Sequence, residues 1–200
     1  MILALDTSTA ACTAALFDGS GMCIARRDEV IGRGHSERLV PMLADLLEGR
    51  SAQRIIVGVG PGSFTGIRVG IAAAHGLAIG WNAGIAGMSS LALLAAAADS
   101  EVAVAVIGGH GELFVQEFSA SGDAVTQIRN LVPAIAAATT QAQLVIGSGA
   151  QQLVAARGWG EAREAWPSAT DALKLPESLR TLAPKPVYAR APDARAKEAA

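Results

Sequence analysis

Lysine is almost missing from this 200-residue chain: Lys174, Lys185 and Lys197 stand against thirteen arginines, and none precedes Lys174. The ammonium that grips terminal phosphates in P-loop sites is therefore absent from the whole N-terminal part. Charged residues of any kind make up only 17%, and the net charge of −2 gives no field that would gather polyanions. Two cysteines, Cys12 and Cys23, are too few for a disulfide framework and lack metal-ligand spacing. Both lie in apolar, strand-like runs and are expected as buried free thiols in a reducing compartment. His35, His75 and His110 are too far apart for a His-x-x-x-His metal pair, so no metal site is expected. Aromatics amount to 4%, and Trp81, Trp159 and Trp166 are not interleaved with basic clusters. They read as core or lobe-packing residues instead of base-stacking ones. The most apolar stretch, 67–98, is broken by Arg68, His75, Asn82 and several glycines, which argues for buried helix and strand and against a membrane span. The start lacks a basic segment, and Asp6 interrupts its apolar run, so a signal peptide fails and the expected location is the cytoplasm.

What the chain does have is a hydrophobic fraction of 51%, enough for a well-filled core. Short apolar runs at Ile2–Leu5, Cys12–Phe17 and Met22–Arg26, with Asp18-Gly19-Ser20-Gly21 between the last two, predict a three-stranded meander. Leu39, Leu43, Leu46 and Leu47 then recur at helical spacing, with Pro41 early in the helix or kinking it and Gly49 ending it. A buried strand follows at Ile55–Val59, then a helix from near Thr65 and an alanine-rich helix capped by Ser89 or Ser90 and running through Ala98. Beyond Asp99 the pattern restarts, with strands expected at Val102–Ile107, Leu113–Phe118 and Ala124–Arg129. Helix, strand and helix follow around Pro133–Gln141, Leu144–Ile146 and Gln151–Ala156, and the chain ends irregularly. These elements predict a mixed α/β molecule of two small lobes dividing near residue 100, without a sequence repeat strong enough to show duplication.

Two motifs could carry chemistry. Asp6-Thr7-Ser8-Thr9 places a carboxylate at a strand end, followed by hydroxyls and turn N–H groups, which can hold a phosphate and its metal water. The same residues are ordinary turn formers that bond their own backbone. Gly58-Val59-Gly60-Pro61-Gly62-Ser63-Phe64-Thr65-Gly66 joins a buried strand to a helix start, a potential anion site. Counted from Gly60, a Walker loop would need glycine, lysine and Ser/Thr where Thr65, Gly66 and Ile67 stand. The dinucleotide pattern meets Ser63 or Thr65 in place of its third glycine and finds no acid before Asp99. In the following helix Gly66, Gly70, Ala74 and Ala78 form a stripe of small residues that invites close approach, either by the chain's own sheet or by a partner's helix. No serine sits in a Gly-x-Ser-x-Gly frame, so no nucleophile elbow is present. His35, beside Ser36 and Glu37, could serve as a capping or exposed residue or in function. No catalytic residue is identified.

Ile2-Leu3-Ala4-Leu5-Asp6-Thr7-Ser8-Thr9, His35-Ser36-Glu37-Arg38-Leu39-Val40-Pro41, Gly60-Pro61-Gly62-Ser63-Phe64-Thr65-Gly66-Ile67-Arg68 and Gly87-Met88-Ser89-Ser90-Leu91 occur here in that order. Together they resemble the bacterial TsaB (YeaZ) family of tRNA threonylcarbamoyladenosine biosynthesis proteins. The likeness is dense in the first half and thins to Gly111-Glu112 and Pro186-Val187-Tyr188-Ala189-Arg190. It implies an α/β, actin-like (ASKHA) ATPase-type fold with two small ribonuclease-H-like lobes. Residues 1–99 would form the first and residues 100–200 a reduced second.

The resemblance also implies a paralogue of the catalytic subunit TsaD that lacks the metal-binding histidine motif, with Ser89-Ser90-Leu91 in the corresponding region. Family members bind TsaD through the N-terminal lobe, assemble with the ATPase TsaE, and can homodimerise through an overlapping surface. On this basis the expected nucleotide site is Asp6, Thr7, Ser8 and Thr9. The expected partner interface is His35, Gly62, Phe64, Gly66, Arg68, Gly70, Ala74 and Ala78. No cofactor is expected to be tightly bound, ATP/ADP and Mg²⁺ only within the complex, and tRNA only through the complex. Where the family commonly has Asp-Ala-Arg before the second-lobe hairpin, this chain has Gly108-Gly109-His110. The expected function is a non-catalytic scaffold of the threonylcarbamoyl-transferring complex. The alternative is an independent small actin-like ATPase or kinase using Asp6 and the Gly60–Gly66 turn. A protease reading finds neither triad nor metal dyad.

Overall fold

The computed structural model describes residues 1–189. Strands β1 (Ile2–Asp6), β2 (Ala11–Phe17) and β3 (Cys23–Val30) form an antiparallel meander. Helix α1 (His35–Leu47) leads to β4 (Arg54–Gly58) beside β1, and α2 (Phe64–Trp81) leads to β5 (Gly84–Met88) beside β4, both strands parallel to their neighbours. The sheet order is β3-β2-β1-β4-β5. Its inner strands β1, β2 and β4 are buried almost throughout, as strands covered on both faces must be. The edge strand β3 carries Arg26, Arg27, Asp28 and Glu29, charges that discourage further pairing.

After the short helix α3 (Ser90–Ala95) the same plan recurs. Strands β6 (Val102–Ile107), β7 (Leu113–Phe118) and β8 (Arg129–Leu131) make a second meander. Helix α4 (Pro133–Thr139), β9 (Leu144–Ile146), α5 (Ala150–Arg157) and β10 (Glu161–Arg163) follow, giving the order β10-β9-β6-β7-β8. In each five-stranded sheet the first strand lies between the second and the fourth, so the two lobes share one topology. This repeated α/β lobe is the actin-like plan. Helix α3 packs between the sheets, where Leu91, Leu93 and Leu94 meet Ile56 and Phe17 of one and Val104, Phe118 and Ile146 of the other.

The chain then returns to the first sheet. The 3-10 helix Ala169–Lys174 is tied to β2 by the Ala169 N–H, which donates to Thr13 Oγ1 at 2.7 Å. After helix α6 (Glu177–Arg180), Leu182 pairs in both directions with Gly87 of β5, and the Val187 N–H donates to the Val59 carbonyl at 2.8 Å. Residues 168–174 and 182–188, grouped by sequence with the second lobe, thus touch the first, while Pro176 between them lies beside Gly122 of the second. The expected irregular end of the chain, with Arg190 and Lys197, lies outside the described residues.

Several expectations change. Cys12 is a buried free thiol, but Cys23 is exposed because it stands on the outer strand. Trp159 is 44% exposed and lies under the Arg157 guanidinium at 3.6 Å, so it packs on its own lobe's surface and not in a core. Of the strand expected at Ala124–Arg129, one bridge from Ala124 to Phe118 remains, and the ladder begins only at Arg129. Between them the Thr126 side chain and carbonyl take hydrogen bonds from Glu117 N–H and Gln116 Nε2, replacing the ladder. Helix α3 stops at Ala95, where Ala97 and Ala98 tighten onto carbonyls three residues back. Pro41 sits inside α1, whose apolar face of Leu39, Met42, Leu43, Leu46 and Leu47 is buried.

Candidate functional site: a sealed turn beside an aromatic cleft

Strand β1 delivers Asp6 to the centre of the first lobe, where it is fully buried. Its Oδ1 accepts the Ser8 N–H and the Ser8 hydroxyl, each at 2.7 Å, and its Oδ2 accepts the Ser90 hydroxyl at 2.5 Å. Ser90 Oγ in turn accepts the Gly60 N–H at 3.1 Å, so one chain of bonds links β1, α3 and the glycine turn. Burial raises the Asp6 pKa above its ordinary value, and the hydroxyl and N–H donors of Ser90 and Ser8 oppose that shift.

The glycine turn closes over Thr7 and Ser8. Ser63 N–H donates to the Ser8 carbonyl at 2.6 Å, and Thr7 Oγ1 donates to the Gly66 carbonyl at 2.6 Å. A Cβ at Gly62 would stand 2.1 Å from the Ser8 carbonyl oxygen, and one at Gly66 2.0 Å from that of Thr7. A Cβ at Gly58 would fall 1.7 Å from Asp6 Oδ2. Thr9 Oγ1 accepts the Ala11 N–H at 3.1 Å. The Asp6 carboxylate, the Ser8 N–H and carbonyl, and the side-chain oxygens of Thr7, Ser8 and Thr9 are thus engaged within the chain, and each glycine marks where another segment presses in. In this arrangement the buried Asp6 carboxylate cannot itself meet a magnesium nucleotide, the ligand an actin-like fold implies, while Ser8 and Thr9 border the cleft beside it. Asp6 offers no exposed oxygen, and among the described residues no lysine or arginine bonds to the turn. Among the described residues no three His, Cys, Asp or Glu side chains are grouped to hold a metal ion.

The stripe Gly66, Gly70, Ala74 and Ala78 is buried against the chain's own sheet. A Cβ at Gly70 would lie 2.5 Å from Thr7 Oγ1 and 3.4 Å from Leu5. The close approach that the stripe signals is made by β1 and β4, so these four residues offer no surface to a partner. His35 is also buried, its Nε2 lying 3.2 Å from the Ala11 carbonyl, which ties α1 to β2. Of the expected interface, Phe64 and Arg68 are exposed and Gly62 is half-buried.

Beside the turn a cleft of about 970 Å³ opens between the lobes. Phe64, Phe114, Trp166 and Tyr188, half of the eight aromatic residues of the chain, line it. Gly108, Gly109 and His110 border it from the β6–β7 connection. Sequence reasoning missed Ser90 as the partner of Asp6, because a serine before a helix reads first as a cap. Ser89 is that cap, accepting the Ala92 N–H at 3.2 Å, which frees the second hydroxyl for Asp6. It also missed Tyr188, whose place against Phe64 depends on a return of the chain across more than a hundred residues.

A family model for TsaD, described as tRNA N6-adenosine threonylcarbamoyltransferase, matches residues 28–143. The TsaB protein of Escherichia coli is 38% identical over 128 residues, 58% of this chain and 54% of that protein. That of Haemophilus influenzae is 40% identical over 103 residues, 48% of this chain and 42% of the other. The solved structure of YeaZ from Pseudomonas aeruginosa superposes with a TM-score of 0.77 at 30% identity, covering 94% of this chain and 98% of that one. A second structure from that organism, an uncharacterized protein with similarity to peptidase YEAZ, gives 0.79 at 31% identity over 94% and 99%.

The chain belongs to the TsaB/YeaZ family.

The matches to the curated TsaB proteins span about half the length of those proteins. The TsaB/YeaZ fold extends over nearly the whole chain, 94% of it in both superpositions. No helix among the described residues is long and apolar enough to cross a membrane.

Proposed function

We propose that this chain is a non-catalytic partner subunit in the biosynthesis of threonylcarbamoyladenosine in tRNA. In this role it docks a TsaD-like catalytic chain through the outward face of α2. The observation that carries the reading is the character of that face. Ala72, His75, Gly76, Ile79 and Gly80 are exposed, Ile79 by 83%, and Arg68 is the one Arg, Lys, Asp or Glu in the eighteen-residue helix. No atom comes within 4 Å of a Cβ built at Gly76 or Gly80, so another helix can approach closely there. The docking surface of this proposal therefore differs from the buried stripe. Family membership and the TsaD family match support the pathway. A TsaE-like ATPase would join the same complex, tRNA would be met only within it, and a second copy of the chain would occupy the α2 face when the partner is absent. The closed Asp6–Thr9 turn weighs against the alternative of an independent ATPase or kinase; ATP/ADP and Mg²⁺ would act only in the assembled complex.

Co-expression with the TsaD-like subunit of the same organism, followed by gel filtration, tests this directly. The two chains are expected to co-elute, and Ile79→Asp is expected to separate them while leaving a folded protein. The isolated chain should show negligible ATP turnover with Mg²⁺. Failure of the wild-type chains to associate, or turnover lost in Asp6→Ala, would sink the proposal.

A further inference from the structure

At the lip of the cleft, where α2 begins, three side chains from distant parts of the chain form one unit. Phe64 and Tyr188 stack with ring centroids 5.6 Å apart at 28°. The Arg68 guanidinium lies 3.6 Å from the Phe64 centroid and 5.9 Å from that of Tyr188, and its Nε donates to the Tyr188 hydroxyl at 3.1 Å. Tyr188 is itself held in place, because the neighbouring Val187 N–H is bonded to the Val59 carbonyl. One face and one edge of the guanidinium are thus spent on orientation. Among the described residues its terminal Nη groups have neither a hydrogen-bond acceptor nor an ion-pair partner. Among the described residues no aspartate or glutamate lines the adjoining cleft. A preoriented guanidinium whose outer edge meets no acceptor among the described residues matches the two oxygens of a planar anion.

We infer that Arg68 receives a carboxylate from the partner protein, and that Tyr188 is the positioning residue that aims it. This rests on the partner reading above and names the chemistry of its contact. A carboxylate is preferred to nucleic-acid phosphates because, among the described residues, Arg68 is the lone arginine or lysine lining the cleft, and the chain as a whole is acidic. A protein source is preferred because Phe64 and Tyr188 are 55% and 47% exposed and continue into the apolar outer face of α2. An aromatic-rimmed arginine beside apolar surface has the composition of an interface anchor.

Affinity for the purified TsaD-like subunit, measured by calorimetry at low and high salt, tests the inference. Arg68→Gln is expected to weaken binding by roughly 10–100-fold, the loss for a charge-assisted bond, and to flatten its salt dependence. Tyr188→Ala is expected to weaken it by about 10-fold in the wild-type background and by nothing further beside Arg68→Gln, because it acts through Arg68. Tyr188→Phe, which keeps the stack, should recover part of the loss. Thermal melting of each variant reports folding separately. If wild-type chains do not bind at all, the partner reading falls and takes this inference with it. If they bind but Arg68→Gln binds equally well, the anion site alone is wrong. Equal losses for Tyr188→Ala with and without Arg68 would overturn the positioning role. Salt-sensitive retention of tRNA by the isolated chain, lost in Arg68→Gln, would assign the site to phosphate instead.

Discussion

Asp6 ends β1 with no solvent exposure, and its two oxygens take three hydrogen bonds from Ser8 and Ser90. Burial dominates those bonds and raises its pKa in the folded state above the ordinary 3.8. The folded protein therefore holds the Asp6 proton more tightly than the unfolded chain does. Stability from this group is complete below 3.8 and is lost as pH rises through the folded pKa. The difference in unfolding free energy between wild type and Asp6→Asn, followed by urea titration from pH 3 upward, should change with pH in that direction. A difference that stays constant would contradict the linkage. Ser90→Ala leaves Asp6 Oδ2 and the Gly60 N–H without their shared hydroxyl and should cost about 1–3 kcal/mol by the same titration. Sequence alone exposes Asp6 as a carboxylate at a strand end. It does not show that the carboxylate is used internally, because its deciding partner, Ser90, lies eighty-four positions away.

Helix α2 has two small-residue faces, and they have opposite meanings. Inward, Gly70 has Thr7 Oγ1 within 2.5 Å of where a Cβ would stand; outward, Gly76 has nothing within 4 Å. Gly70→Ala is therefore expected to destabilise the protein, because Thr7, bonded to Gly66, has little room to move. Gly76→Ala should stabilise it by up to about 1 kcal/mol through helix propensity. Thermal melts of the two variants shifting in the same direction would refute this division. The fourfold spacing of Gly66, Gly70, Ala74 and Ala78 is legible in sequence as close approach. What approaches is not, because the chain's own sheet and a foreign helix impose the same demand for small side chains. The bounds of β1, β2 and β6 and the start of α2 fall within about two residues of the sequence reading, which named no end for α2. The segment after Leu113–Phe118 is less legible, since Thr126 and Glu117 settle its path through side-chain bonds.

Across the molecule, two sheets of one topology face each other over α3 and a shared cleft. No repeat is visible in the sequence, because strand order can persist while residues diverge, and apolar pattern alone suffices to rebuild a lobe. The actin-like plan came from motif resemblance, and the doubled sheet topology now supports it independently of any motif. Least visible in sequence is the return of the chain, whose bridge from Leu182 to Gly87 covers the outer edge of β5 near its end. That cover has a consequence for synthesis. β5 is complete at Met88, but its edge waits for Leu182 to be translated, ninety-four residues later. At about 5–20 residues per second, a nascent chain holds an open strand edge for roughly 5–20 seconds on the ribosome. During that interval the emerging first lobe is a template for stray strand pairing, a hazard that ends only when the final stretch emerges and docks.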